Sequence, residues 1–450
     1  MQQIDFSQGS IRRRILAVAT PMLIAQLLNL LYNIVDRIYI GKIPGEGTLA
    51  LASIGLCFPF VTLITAFANL FGLGGAPLCA MARGKGNREG AQGIMVNAGF
   101  MLLLSGAVLT VLGIAFHRPL LYLFGASEVT YPYASSYIVI YLLGTLCVML
   151  SLGLNPYINC QGFARTGMLT VALGAAANIV LDPIFIFALH LGVRGAAIAT
   201  VLSQFLSAAW VVKFLTGKKA ELKLDFRGFR PDRQCIQRIT VLGIASFVMS
   251  FTDMLVQVAC NSMLRGFGGD LYISVMTVLN SVRQIAQTPV LAIADGASTA
   301  ISYNYGAGLY KRTRDAIRFM TQIAIGYTML VWMLVSLFPA LFIRIFNQDA
   351  ELVAAAVPAL HIYFFGFVMM AFQYAGQSTF RALGRAKYAV FFSLLRKAFI
   401  VVPLTLLLPY CWNLGVSGVF AAEPVSNCIG GLACYFTMRH VVMPELKMEN

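Results

Sequence analysis

Long apolar runs fill almost the whole of this chain, and ionisable residues break them at only a few points. A run of about 20 apolar residues is the length a helix needs to cross the hydrocarbon core of a bilayer. Of 450 residues, 59% are hydrophobic and 11% are charged. Soluble domains carry about 25% charged residues, so this chain lacks the polar surface that folding in water requires. Lipid is the solvent the sequence is written for.

Runs of spanning length fall at 15–40, 50–75, 92–116, 134–158, 168–189 and 195–215. After a polar interruption they resume at 236–263, 272–302, 317–345, 358–380, 388–411 and 414–438. The interruption, Thr216–Gln234, is the longest polar stretch and is rich in Lys and Arg. The spacing therefore predicts an all-α integral membrane protein of about twelve spans. The expected layout is six spans in residues 1–215, a cytoplasmic linker at 216–235, and six spans in 236–450. The first run is too long for the apolar region of a secretory signal, so it is expected to remain as an anchor.

The formal charge is +15. On a soluble domain that would suggest nucleic acid, but here the cations sit in short loops between apolar runs, which removes that reading. Alternate loops are the basic ones: Arg83, Lys85 and Arg88; the central linker; Lys311, Arg312 and Arg314; Arg381, Arg385 and Lys387. The intervening loops hold mostly single cations, namely Lys42, Arg118, Arg194, Arg265 and Arg344. The positive-inside rule then puts both termini in the cytoplasm of a cell (inner or plasma) membrane protein. The nine cysteines include no C-x-x-C pair and the four histidines are scattered, which leaves no zinc or disulfide framework.

The two halves read as a repeat. Gly84-Lys85-Gly86 is answered by Gly306-Ala307-Gly308, and Leu191-Gly192-Val193-Arg194-Gly195 by Leu414-Gly415-Val416-Ser417-Gly418. Pro183 pairs with Pro403. Each half holds an even number of spans, so both run the same way through the bilayer, a parallel repeat about the membrane normal. Pro21, Pro59, Pro156, Pro289 and Pro403 lie within spans and favour kinks.

Five acids fall inside apolar spans: Asp36, Asp182, Asp253, Asp295 and Glu423. An acid at the middle of a spanning helix costs about 2.5–3.5 kcal/mol on insertion scales, so such residues face protein or water and mark function. Gln26, Asn29, Asn33 and Asp36 recur at helical spacing and form one polar stripe. Asp182 has Asn178 one turn before it, and Pro183 frees a backbone carbonyl upstream. The next span offers Thr200, Ser203, Gln204 and Ser207. Two carboxylates, an amide, a hydroxyl and free carbonyl oxygens suit a proton or a hard cation. In the second half, Asp253, Gln257, Asn280, Gln284, Gln373 and Gln377 are candidates to line a cavity. Asp295 and Glu423 are expected to sit near an interface or to pair with Arg283, Arg396 or Lys397.

Taken in order, several of these pieces resemble the MATE (multidrug and toxic compound extrusion) family, in particular its bacterial DinF-like and MepA-like members. The pieces are Pro21 with Asn33-x-x-Asp36-x-x-x-x-Gly41; Gln161-Gly162 with Arg165 and Gly167; Asn178-x-x-x-Asp182-Pro183; and the run Gly192–Thr200. Gly296, Ser302, the run Tyr303–Ala307 and Gly415-Val416-x-Gly418 extend the likeness through the second half. The resemblance implies twelve helices in two pseudosymmetric six-helix lobes. It also implies secondary active efflux of drug-like organic compounds, often cationic and amphipathic, by antiport with H+ or Na+. It implies that Asp36 couples to the ion with Asn178, Asp182 and Thr200, the same four residues holding Na+ where sodium is the driving ion. Some members use acids on helices 7 and 10. Asp253 matches the first, but the tenth helix offers Gln373 and Gln377 and no acid, which weighs against coupling through the second half alone. A monomer without an organic cofactor is expected.

The alternative within the wider superfamily is a flippase for a lipid-linked precursor. A wide basic cavity and extra helices would mark it, and the count of about twelve spans with few cations inside them argues against it. A membrane-embedded enzyme would need a nucleophile–base or metal set, and none stands at useful spacing. A channel would need a repeated filter or a charged ring.

Overall fold

A computed structural model describes residues 3–44, 47–346 and 348–448. Helix dominates throughout, and the chain divides into two compact units. The first comprises Met1–Asp5 and Thr20–Gly243, the second Phe6–Ala19 and Ile244–Asn450.

In the first unit, α1 (Ile11–Gly41, from Thr20 onward), α2 (Gly47–Gly84), α3 (Arg88–Leu123), α4 (Tyr131–Leu143), α5 (Thr145–Cys160), α6 (Ala164–Pro183) and α7 (Gly192–Thr216) follow in order. α2 packs on both α3 and α5, and α7 packs on α4, α5 and α6. α4 and α5 are one predicted span bent by 56°. The bend falls at Gly144, where a Cβ would come within 2.6 Å of the Val201 side chain on α7. A larger residue there would push α7 away.

The polar stretch after α7 is docked on this unit and is not a free tether. The backbone N–H of Leu222 donates to Gln161 Oε1 at 2.9 Å, and that of Asp232 to Asn97 Oδ1 at 2.9 Å. Arg83 pairs with Glu221, and Arg88 Nη2 donates to the Glu221 carbonyl at 2.6 Å. Two of the predicted basic loops therefore meet on one face of the unit.

The second unit contains the rest of α8 (Arg233–Gly306), then α9 (Tyr310–Leu337), α10 (Pro339–Arg344), α11 (Ala350–Phe364), α12 (Met369–Ala382), α13 (Ala386–Leu394), α14 (Val402–Leu407) and α15 (Val416–Met448). α8 breaks at Gly269, whose φ of 68° and ψ of −165° are not helical, so its two arms serve as two spans. α11 and α12 form the second bent span, at 49°. Gly366 sits at that break, where a Cβ would lie 2.6 Å from the Pro424 carbonyl of α15. The start of α1 belongs here because Ala19 packs on Gly296, whose Cβ would fall 2.9 Å from the Ala19 nitrogen.

Among the described residues, eight helices are long and apolar enough to cross a membrane, and the two bent pairs bring that number to ten. The remaining predicted spans, 272–302 and 414–438, are helical too, as the far arm of α8 and as α15. They are less apolar because they carry Arg283, Asp295 and Glu423.

The predicted repeat is visible in backbone geometry. Gly86 and Gly308 have φ of 74° and 72°, and Gly192 and Gly415 have 53° and 51°. These left-handed values favour glycine, and each pair occupies the matched loops of the two halves. A π-helical segment, Ile184–Ala188, follows Pro183, and another, Leu395–Val401, precedes Pro403. Proline removes one backbone donor and widens the turn beside it.

Candidate functional site

The first unit gathers its polar residues around one cavity of about 390 Å³. Gln26, Asn29 and Tyr32 enter from α1, Asn155 and Asn159 from α5, Asn178 from α6, and Thr200, Ser203, Gln204 and Ser207 from α7. Ser151 donates to Gln204 Oε1 at 2.7 Å, and Ser207 donates to the Thr170 carbonyl at 3.0 Å. Gly167 makes room for α5, since a Cβ there would come within 2.2 Å of Asn159 Oδ1.

Asp36 and Asp182 meet beside this cavity. Their carboxylates face each other within hydrogen-bonding reach. Asp182 is fully buried, and its Oδ1 accepts from Asn178 Nδ2 at 3.2 Å. Asp36 Oδ1 and Asp182 Oδ2 are buried oxygens without a donor among the described residues. An ionised carboxylate only accepts hydrogen bonds. Two such groups in contact are satisfied when a proton or a cation lies between them.

The predicted members divide in an instructive way. Asp36, Asn178 and Asp182 come together, and Thr200 shares the cavity wall with Asn178. Gln26, Asn29 and Gln204 also line that wall. Asn33 does not: it is exposed, and its amide turns back to the Asn29 carbonyl at 2.7 Å.

The second unit has its own cavity, of about 330 Å³. Asp253, Gln257, Asn280 and Gln284 line it. A relay runs along the wall: Arg283 Nη1 donates to Tyr363 Oη at 2.8 Å, Tyr363 to Asn280 Oδ1 at 3.0 Å, and Asn280 Nδ2 to Gln257 Oε1 at 2.8 Å. Gln257 Nε2 closes it on Asn261 Oδ1 at 3.0 Å. Gln373 and Gln377 lie elsewhere. Both are buried in the packing of α12, where Gln373 donates to Gln377 at 3.3 Å and Gln377 donates to Ser393.

The buried charges find partners that the linear sequence left open. Glu423 bonds Arg283, Arg396 and Lys397 together. Lys397 also reaches Asp253 at 2.9 Å, and Asp295 takes Arg381 at 3.9 Å.

The MatE family model matches residues 21–184 and again 245–407, one copy in each unit. The chain belongs to the MatE family. As a MatE protein it is a multi-pass membrane transporter, in line with its apolar helices. The multidrug export protein MepA of Staphylococcus haemolyticus is 24% identical over 97% of this chain and 95% of its own length. The FAD transporter of Shewanella oneidensis is 26% identical over 96% of both chains. The fold agrees with the crystal structure of MATE in complex with MaD3S, at TM-score 0.93, 24% identity, and 100% and 99% coverage of the two chains. An outward-facing MATE family transporter of the MOP superfamily gives 0.92, at 24% identity and the same coverage.

Several wall residues of this MatE protein were missed from sequence. Asn155 and Asn159 stand one helical turn apart around Pro156 inside an apolar run, the same signal that marked Asn29 and Asn33. Tyr32 and Tyr363 give no such signal, because aromatic residues are ordinary in membrane helices.

Proposed function

We propose that this MatE protein exports small organic molecules by antiport with H+ or Na+, and that the driving ion is taken at Asp36 and Asp182. The observation that carries the reading is the contact of two carboxylates with a buried acceptor on each side lacking a donor. Such a pair has a large stake in whether an ion is present, and a ligand shifts a conformational equilibrium only through unequal affinity for its states. Asn178 fixes Asp182 from one side. Thr200 stands on the adjoining wall and completes the set.

The cargo would meet the amide- and hydroxyl-rich cavity beside the acids. The MepA and FAD-transporter relatives support a drug-sized organic cargo and do not confine it to one sign of charge. The basic loops support a cytoplasmic position for both chain ends in the cell membrane.

The test is efflux from vesicles loaded with a panel of dyes, with pH and sodium gradients imposed separately. One gradient should drive efflux in the wild type, and Asp36→Asn should abolish it in protein that still folds. Undiminished gradient-driven efflux by the variant would sink the assignment.

A further inference from the structure

The two units differ in the charge they carry on the helices that hold the paired prolines. In the first, Asp182 adjoins Pro183 on α6 with Asn178 a turn earlier; in the second, Val402 and Ala398 hold those places before Pro403, and Arg396 and Lys397 lie seven and six residues before it on the π-helical segment. Both cations are buried. They enter the 330 Å³ cavity together with Arg283 of α8. The acids on its wall are Asp253 and Glu423, so three cations face two acids.

The acids are poorly placed to cancel that excess. One oxygen of Glu423, Oε1, accepts from all three: from Arg283, from Arg396 Nη1 at 3.0 Å and from Lys397 Nζ at 3.4 Å. The Asp253 side chain is 52% exposed, so its pairing with Lys397 is screened. Arginine does not give up its proton in proteins, and each guanidinium carries five N–H donors. The bonds of Arg396 to Glu423 and to Asn427 Oδ1, the latter at 2.8 Å, both leave from Nη1. The neighbouring helix is shaped around this arginine: a Cβ at Gly430 would lie 3.1 Å from Arg396 Cγ. Buried cationic donors in excess at a cavity wall are costly to hold unless an anion joins them.

We propose that the cavity of the second unit binds an oxyanion, a carboxylate or phosphate carried on an organic molecule. Guanidinium groups recognise both through paired N–H donors. As a statement about cargo this rests on the transport reading above; as a statement about binding it does not. The oxyanion belongs either to a dissolved anionic compound or to the headgroup of an anionic phospholipid.

The test uses the purified full chain with carboxyfluorescein as the anionic probe and ethidium as the cationic one, read by fluorescence anisotropy in detergent. No gradient is present, so loss of ion-coupled efflux and loss of this binding are separate results. Saturable carboxyfluorescein binding is expected. Lys397→Gln should weaken it about tenfold, the worth of one charge-assisted hydrogen bond. Asp253→Asn should strengthen it, because it removes a competing acid. Should Lys397→Gln fail to fold, the half-exposed Asp253→Asn carries the test alone. Repeating the assay in phosphatidylcholine vesicles with and without phosphatidylglycerol separates the two sources. Competition by phosphatidylglycerol assigns the site to a lipid headgroup, and its absence to a solute. No saturable binding of the anionic dye, an affinity unmoved by Asp253→Asn, or ethidium shifting in the same direction as carboxyfluorescein would overturn the proposal.

Discussion

Glu423 shows what a single residue can and cannot announce. An acid in an apolar run is conspicuous, and cations at Arg283, Arg396 and Lys397 made pairing with it a reasonable expectation. Which partner it takes depends on how α8, the π-helical segment and α15 cross, and no local pattern records that. In the folded chain it takes all three. Removing one partner from a buried ionic cluster leaves uncompensated charge and costs about 3–5 kcal/mol. Glu423→Gln should therefore lower the thermal unfolding midpoint of the detergent-solubilised protein by several degrees. Asp253→Asn should shift stability by about 1 kcal/mol or less, because its pair with Lys397 is half exposed. Equal shifts for the two variants would contradict this account of the cluster. The acid site of the first unit was more legible than the basic cavity of the second. Asp36, Asn178 and Asp182 announce themselves as polar residues in apolar helices, while the charge excess of the second unit emerges only when three separate segments meet.

At the scale of elements, the spans were readable because hydrophobic length alone fixes them. The two bent spans were not. Their breaks depend on Gly144 and Gly366, and what makes those glycines matter is Val201 and Pro424, on other helices. Close helix approach of this kind relies on small residues, because packing in lipid has no hydrophobic drive behind it. Gly243 is the clearest case in the first unit: a Cβ there would lie 1.8 Å from the Leu70 carbonyl oxygen of α2. Backbone cannot move aside as a side chain does. Gly243→Ala should cost at least the roughly 1–3 kcal/mol of an overpacked core. Gly93 on α3 is the internal control, since a Cβ added there would meet nothing within 4 Å. Gly93→Ala should be neutral or stabilising by up to about 1 kcal/mol, since alanine is the better helix former. Thermal unfolding of the two variants side by side checks the pair, and similar behaviour would remove the close crossing as the cause.

For the whole molecule, the two matches to the family and the paired left-handed glycines describe one six-span plan used twice. What differs between the copies is charge: the first has Asp182 beside its proline, while the second has Val402 there and carries Arg396 and Lys397 two turns earlier. An even number of spans in each half, as the sequence predicts, would put matched loops on one side of the membrane. The docking of Glu221 on Arg83 and Arg88 already joins two basic loops within the first unit. If these face the cytoplasm, the loop between α14 and α15 faces the other way, one span removed from the basic loop at Arg381–Lys387. Cys411 lies in that loop and is exposed, whereas Cys57, Cys79, Cys160, Cys260 and Cys434 are buried. It is thus a built-in reporter of topology. A membrane-impermeant maleimide applied to intact cells should label the wild type, and Cys411→Ser should remove most of that label. A cysteine placed at Lys219 in the Cys411→Ser background should react only after the membrane is opened. Labelling of Lys219→Cys in intact cells would invert the orientation, and with it the direction in which the ion site proposed at Asp36 and Asp182 would load.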